Sequence, residues 1–210
     1  MTMIKPKARR GRPPKVARAF TDTREALLRC GMQVLTEQGF AATGIDTVLK
    51  QINVPKGSFY NYFANKEAFG QEVLQCYAIY FARKLDHWLL NESVPALQRI
   101  SDFVEDAKAG MLKHQFRRGC LVGNLGQEIT VLPESFRNAL ENILQDWQKR
   151  LAACLCAAVE QGHIAKDSDC DVLAAYFWIG WEGAVLRAKL VQDVKPLDTF
   201  LAGFLAGLSR

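Results

Sequence analysis

The 210-residue sequence predicts an all-α fold of about nine helices, with an N-terminal helix-turn-helix unit and a larger helical domain after it. Three observations carry that expectation. Apolar side chains recur three and four residues apart in one segment after another. No segment alternates in the period-two manner of a half-buried strand. Residues that open or close helices, such as Asp22, Gly39, Asn65, Pro95, Pro133 and Pro196, separate the segments. Hydrophobic residues make up 49% of the chain and aromatics 10%, which suffices for a real core. No apolar run reaches membrane-spanning length, and the basic N-terminus lacks the apolar stretch of a secretion signal. The chain therefore reads as a cytoplasmic protein with no membrane partner.

Residues 1–20 read as a disordered basic arm. They hold Lys5, Lys7, Arg9, Arg10, Arg12, Lys15 and Arg18 and no acid, whereas the whole chain carries only +5. The positive excess thus sits on one end of a near-neutral body, which points to a polyanion partner. Arg10-Gly11-Arg12-Pro13 resembles the core of an AT-hook. Arg10 and Arg12 would then lie in a narrow A·T-rich minor groove, whose negative potential attracts arginine. The plainer reading is a tail that only raises nonspecific affinity.

Asp22 and Glu25 have capping-box spacing and should open a first helix, with Leu27, Leu28, Gly31, Val34 and Leu35 turned inward. Gly39 should end it. Thr43 or Gly44 caps a second helix whose Ile45, Val48, Leu49 and Ile52 share a face. After a tight turn at Asn53 and Val54 comes a short third helix opened by Pro55. Asn65 should cap a long fourth helix lined by Phe69, Val73, Tyr77, Phe81, Leu85 and Leu89. Pro95 opens the next helix. The Gly-rich segment from Gly119 to Glu128 reads as a flexible stretch with a helix start nearby. Pro133 opens another long helix, Ser168-Asp169-Cys170-Asp171 caps an apolar one, and Pro196 opens the last.

The third helix and its continuation carry the chemistry of DNA reading. Phe59 and Phe63 lie four apart and can anchor the segment to a core. Lys56, Ser58, Tyr60, Asn61, Tyr62 and Lys66 place donors on the remaining surface, and Gly57 permits close approach. Lysine suits guanine acceptors and asparagine suits adenine, so Lys56, Ser58, Tyr60 and Asn61 are candidates for base edges. Tyr62 and Lys66 are placed to hold phosphate. Thr43, at the start of the second helix, can do the same with help from the helix N-terminus.

Residues 21–66, with Pro55-Lys56-Gly57-Ser58-Phe59-Tyr60 followed by Tyr62-Phe63 and Lys66, resemble the TetR family of bacterial repressors. The resemblance implies a helix-turn-helix DNA-binding domain over 21–66 and a ligand-binding and dimerisation domain over 67–210. It implies a homodimer on double-stranded operator DNA, released by a small-molecule inducer. Two recognition helices on a dimer would enter successive major grooves, so the operator should be a pseudo-palindrome. Gly180, Gly183, Ala184, Phe200 and the segment from Leu201 to Leu208 are the expected dimer surface. Phe116 to Glu128 and Phe177 to Ala184 are similar to the ligand domain of the acrylate-responsive branch. Gly119-Cys120-Leu121 and Lys189 are shared with a branch that senses reactive electrophiles and oxidants, among them aldehydes, quinones, maleimides and hypochlorite.

Cys120 is the cysteine singled out among six. It follows Arg117, Arg118 and Gly119, a basic setting near a helix start that favours thiolate. Alkylation or oxidation of Cys120, with Lys189 as its partner, is one reading. A small hydrophobe lining a cavity is the other. A noncovalent pocket could use Trp178 and Trp181 as walls and His114, Arg117, Asn124, Glu128 or Glu182 as polar ends, although tryptophans at helical spacing also serve as core. Buried acids such as Glu128 and Glu182 would need partners, Arg187 or Lys189 among the candidates.

No Cys-x-x-Cys pair occurs and the histidines are scattered, so no metal or cofactor is expected. A thiol-dependent enzyme built from Cys120, His114 and Glu128 has the right residue types but no spacing that joins them. An architectural DNA-binding protein without inducer would suit the arm and leave the large apolar domain without a role. The expected function is therefore that of a ligand-responsive repressor and not an enzyme.

Overall fold

The computed structural model describes residues 23–208. Arg10, Arg12, the rest of the arm and the Asp22 cap lie outside the described residues. Within them the chain forms α1 (Thr23–Gln38), α2 (Ile45–Ile52), α3 (Lys56–Phe59), α4 (Lys66–Leu89), α5 (Ala96–Lys113), α6 (Leu121–Gln127), α7 (Ser135–Glu160), α8 (Cys170–Val191) and α9 (Lys195–Leu208). There is no strand among the described residues. None of the described helices is long and apolar enough to cross a membrane. No group of three or more His, Cys, Asp or Glu among the described residues is disposed to hold a metal ion.

The first three helices close around a small aromatic core. Phe59, Phe63 and Phe69 pack tilted and edge-to-face with ring centroids 5.0–5.3 Å apart, which fixes α3 against the start of α4. Leu27, Val34, Leu35, Val48 and Leu49 fill the space between α1 and α2. Gly31 is required here, because a Cβ at that position would overlap the Phe69 ring. Asn53, in the left-handed region at φ 51°, closes α2 by giving its amide to the last turn, a conformation asparagine tolerates. Asn65 caps α4 by accepting the Ala68 amide at 2.8 Å, as its position in the sequence implies.

Two features depart from the sequence reading. The third helix is a single turn that ends at Phe59, and Tyr60 to Tyr62 continue it as a turn. The Gly-rich stretch after Cys120 is helix rather than loop. Leu121, Val122 and Leu125 are buried along one side of α6, and that burial outweighs the cost of its glycines.

The second half packs α7 against α4 and α8, with α9 laid along α8. Its core is aromatic: Phe81, Phe103, Trp147, Phe177, Trp178 and Trp181 form one contiguous set of rings. Trp178 belongs to this core rather than to a cavity wall. Gly180 serves the same packing, since a Cβ there would overlap Phe200. Ala184 is buried and the Phe200 ring packs on Phe177. The surface left open on α8 lies instead along Val172, Tyr176, Ile179, Leu186 and Leu190, all more than half exposed, with Gly183 open among them.

Candidate nucleic-acid interface and effector cavity

The α2–α3 edge carries an exposed polar surface over a fixed base. Phe59 and Phe63 are fully buried, while Tyr60 and Tyr62 are exposed. Lys56, Gly57 and Asn61 are exposed, and Ser58 is half-buried. Nothing lies within 4 Å of where a Gly57 Cβ would stand, so the backbone is open to an outside surface. Lys56 pairs loosely with Asp46 at 3.3 Å, with both side chains exposed. Such a pair is worth little and yields readily to a phosphate or a base edge.

Thr43 departs from its expected role. Its hydroxyl is buried and donates to the Gly39 carbonyl at 2.6 Å, so it holds the α1–α2 turn and has no proton left for a phosphate. Lys66 is drawn partly inward. Its Nζ sits 4.4 Å from the Phe40 ring centroid and 3.5 Å from the Ala41 carbonyl. Burial lowers its pKa, against the opposing pull of Glu128.

A polar seam joins this unit to the rest of the molecule. Glu128, the residue that closes α6, accepts the Phe40 amide at 3.1 Å and the Ala41 amide at 2.7 Å. Asn124 donates to the Thr36 carbonyl at 2.6 Å and accepts from Lys189 at 3.4 Å. Arg118 reaches Glu37 at 2.8 Å and Arg117 reaches it at 3.4 Å. Helix ends leave amides and carbonyls without intrahelical partners, and here α6 supplies partners for the end of α1. Gly39 has φ +83°, and any side chain there would also strike the Glu128 carboxylate.

A cavity of about 470 Å³ lies between α1, α4, α5 and α8. Arg29, Lys84, His114 and Arg118 line it with no acidic residue, and Tyr77, Phe103, Cys120 and Trp181 form its inner wall. Of the residues expected to bind ligand, Cys120, His114 and Trp181 are on this wall. Arg117, Asn124, Glu128, Trp178 and Lys189 are not, because the first, second, third and last serve the seam and Trp178 the core. Burial, followed by the charges of Arg118 and Lys113, lowers the His114 pKa, which keeps it neutral near pH 7.

Cys120 caps α6, accepting the Gly123 amide on Sγ at 3.4 Å. The expectation that its setting favours thiolate is overturned. Burial and the neighbouring Glu182 carboxylate push the thiol well above its ordinary pKa, while Arg117 and Arg118 turn away toward Glu37. Lys189 is committed to Asn124, and its methylenes lie against Gly119.

Comparison with known proteins bears on both halves. A model of bacterial regulatory proteins of the tetR family matches residues 27–73. A model of the tetracyclin repressor-like C-terminal domain matches residues 96–204. The chain belongs to the tetR family. Its relatives in this family include the transcriptional regulator AcuR of Cereibacter sphaeroides, 48% identical over 94% of this chain and 90% of that protein. The HTH-type transcriptional repressor NemR of Escherichia coli is 31% identical over 86% of this chain and 91% of the relative. A crystal structure of a TetR regulatory protein from Rhodobacter sphaeroides superposes with a TM-score of 0.85 at 48% identity, covering 87% of this chain and 96% of that one. As a tetR-family member the chain is a DNA-binding transcriptional repressor and not an enzyme.

The seam runs between the two matched regions of this tetR-type chain. Thr36 to Ala41 fall in the first, and Arg117 to Glu128 with Lys189 fall in the second. Sequence reasoning did not find Thr36, Glu37 or Tyr77. Their partners lie tens of residues away, and no local pattern announces such pairs. Glu182 was expected to pair with Arg187 or Lys189, and its neighbour is Cys120 instead.

Proposed function

We propose that this repressor acts as a homodimer on a pseudo-palindromic operator and releases it when a small ligand or reactive electrophile occupies the cavity and engages Cys120. One observation carries the reading. Cys120 stands on the cavity wall and also caps α6, the helix whose Asn124 and Glu128 grip the end of α1. Any adduct or ligand that moves the Cys120 cap moves α6, and through it the turn before α2.

The DNA-side roles follow from the exposed edge. Lys56, Ser58, Tyr60 and Asn61 face base edges, and Tyr62 and Lys66 hold phosphate. Dimerisation uses the open apolar stripe of α8 together with the small residues of α9, Ala202, Gly203, Ala206 and Gly207, which are exposed. Paired across a two-fold axis these form a four-helix bundle. The inducer is anionic or electron-poor. Arg29, Lys84 and Arg118 line the cavity while paired with Glu25, Asp106 and Glu37 outside its lining, cations for which a carboxylate ligand competes, and the thiol beyond them suits an unsaturated carbon, as in acrylate. The volume leaves room for a larger aldehyde or quinone.

Operator DNA taken from beside the gene, challenged with acrylate, aldehydes, quinones, maleimide and hypochlorite, tests this reading on the wild type and Cys120→Ser together. At least one compound should release the wild type and leave Cys120→Ser bound. Equal release of both proteins by every active compound would remove Cys120 from the mechanism.

A further inference from the structure

A buried thiol with a raised pKa is a poor nucleophile, so covalent sensing at Cys120 needs a proton acceptor beside it. The wall behind Cys120 contains one. Glu182, on α8, projects its carboxyl into the space that α6 leaves at Gly123. A Cβ at position 123 would overlap Glu182 Oε2 and lie 3.7 Å from the Cys120 Cβ. The glycine thus permits the carboxyl and the thiol to share one site. Glu182 Oε1 is buried with no hydrogen-bond partner, a costly arrangement that a purely structural role does not explain. The Glu182 carboxyl raises the pKa of the Cys120 thiol, and the Tyr77 hydroxyl, on the same cavity wall as the sulfur, lowers it.

We propose that Glu182 is the base that activates Cys120 for addition to α,β-unsaturated carbonyl and carboxyl compounds, with Tyr77 steadying the sulfur. This inference rests on the covalent reading of Cys120 given above. The step is a conjugate addition. The Cys120 S–H bond breaks as its proton passes to the Glu182 carboxylate, and the sulfur lone pair forms an S–C bond to the β-carbon. The π pair of the C=C bond moves to the α-carbon, which takes the proton back from Glu182. The product is a thioether, no oxidant or reductant is consumed, and the carboxylate is regenerated. A free thiolate never has to persist in the buried site, because the proton leaves as the carbon bond forms.

Cys120 itself accepts the Gly123 amide at the head of α6, so the sulfur is tied directly to the first turn of that helix. Alkylation therefore changes the bonding of Cys120, Tyr77 and α6 in one event. The test uses acrylamide on the full-length protein, with site-resolved mass spectrometry giving the alkylation rate at Cys120 and at the exposed Cys156 in one sample. Glu182→Gln should slow alkylation of Cys120 by about 100-fold, the scale of general-base assistance, with Cys156 unchanged. Glu182→Asp should recover part of the rate. Wild-type rates at Cys120 in Glu182→Gln would overturn the role of Glu182 and leave the covalent reading standing. A wild-type Cys120 that resists alkylation while Cys156 reacts would overturn both. Operator binding by each variant, before acrylamide is added, confirms that it is folded.

Discussion

The Glu128 carboxylate accepts the Ala41 amide at 2.7 Å, which ties the last residue of the α6 segment to the turn between α1 and α2. Charge-assisted hydrogen bonds of this kind are worth about 1.5–3 kcal/mol. Glu128→Ala should therefore lower the stability of the chain by about 2 kcal/mol, or roughly 4–8 °C in Tm for a chain of this size. Thermal unfolding followed by circular dichroism measures this, and an unchanged Tm would show that the contact is not held in solution.

Gly39 should tolerate no side chain. Its φ of +83° is costly for any L-residue, and the Glu128 carboxylate fills the space beside it. Gly39→Ala should cost about 1–2 kcal/mol from the backbone alone, and it should weaken operator binding because the turn also positions Thr43 and α2. In the double variant with Glu128→Ala the two losses should sum to less than their total, since they disturb one contact. Urea unfolding of the four proteins gives that coupling.

On the DNA side, Asn61→Ala and Tyr62→Phe should fail differently. Loss of a base contact relaxes discrimination at one operator position by about 1–3 kcal/mol, whereas loss of a phosphate contact weakens all sequences alike. Binding to the operator and to single-base variants of it separates these outcomes. Removal of residues 1–19, which hold all seven basic side chains of the arm, should flatten the salt dependence of binding. An unchanged slope would mean that the arm touches no phosphate.

Glu182 makes stability depend on pH in a direction opposite to that of most carboxylates. Burial raises its pKa from 4.5 to about 7, against a smaller opposing pull from Cys120. The folded state therefore holds a proton that the unfolded state has lost. The stabilisation is fully present below about pH 4.5 and is lost as pH rises to about 7. Glu182→Gln, which keeps the shape and cannot ionise, should match the wild type near pH 4.5 and exceed it by about 3 kcal/mol at pH 8. Urea unfolding under reducing conditions at both values checks this, and parallel pH profiles would contradict it.

The helices that were legible in the sequence are those whose inward stripe is long and whose ends carry chemical marks. Asn65 at the head of α4 and Gly39 at the tail of α1 are such marks, and both do locally what their chemistry allows. The helix α6 was not legible. With Gly123, Gly126 and Asn124 among seven residues, its local preference runs against helix, and burial of Leu121, Val122 and Leu125 decides the outcome. The nearby arginines suggested a reactive thiolate at Cys120. The fold sends Arg117 and Arg118 to Glu37 and brings Glu182 to the sulfur, a pairing across some sixty residues that no spacing reveals. Periodicity likewise marked Trp178 and Trp181 as one pair, and only the packing shows Trp181 on the cavity and Trp178 in the core.

Events at Cys120 should reach the DNA-reading edge through α6 and its Glu128. Site-resolved mass spectrometry of Cys120 and operator release, followed together on Glu128→Ala during alkylation by acrylamide, test it most directly. In Glu128→Ala, Cys120 should be modified at the wild-type rate while the operator stays bound. Release that tracks Cys120 modification in Glu128→Ala as closely as in the wild type would contradict it.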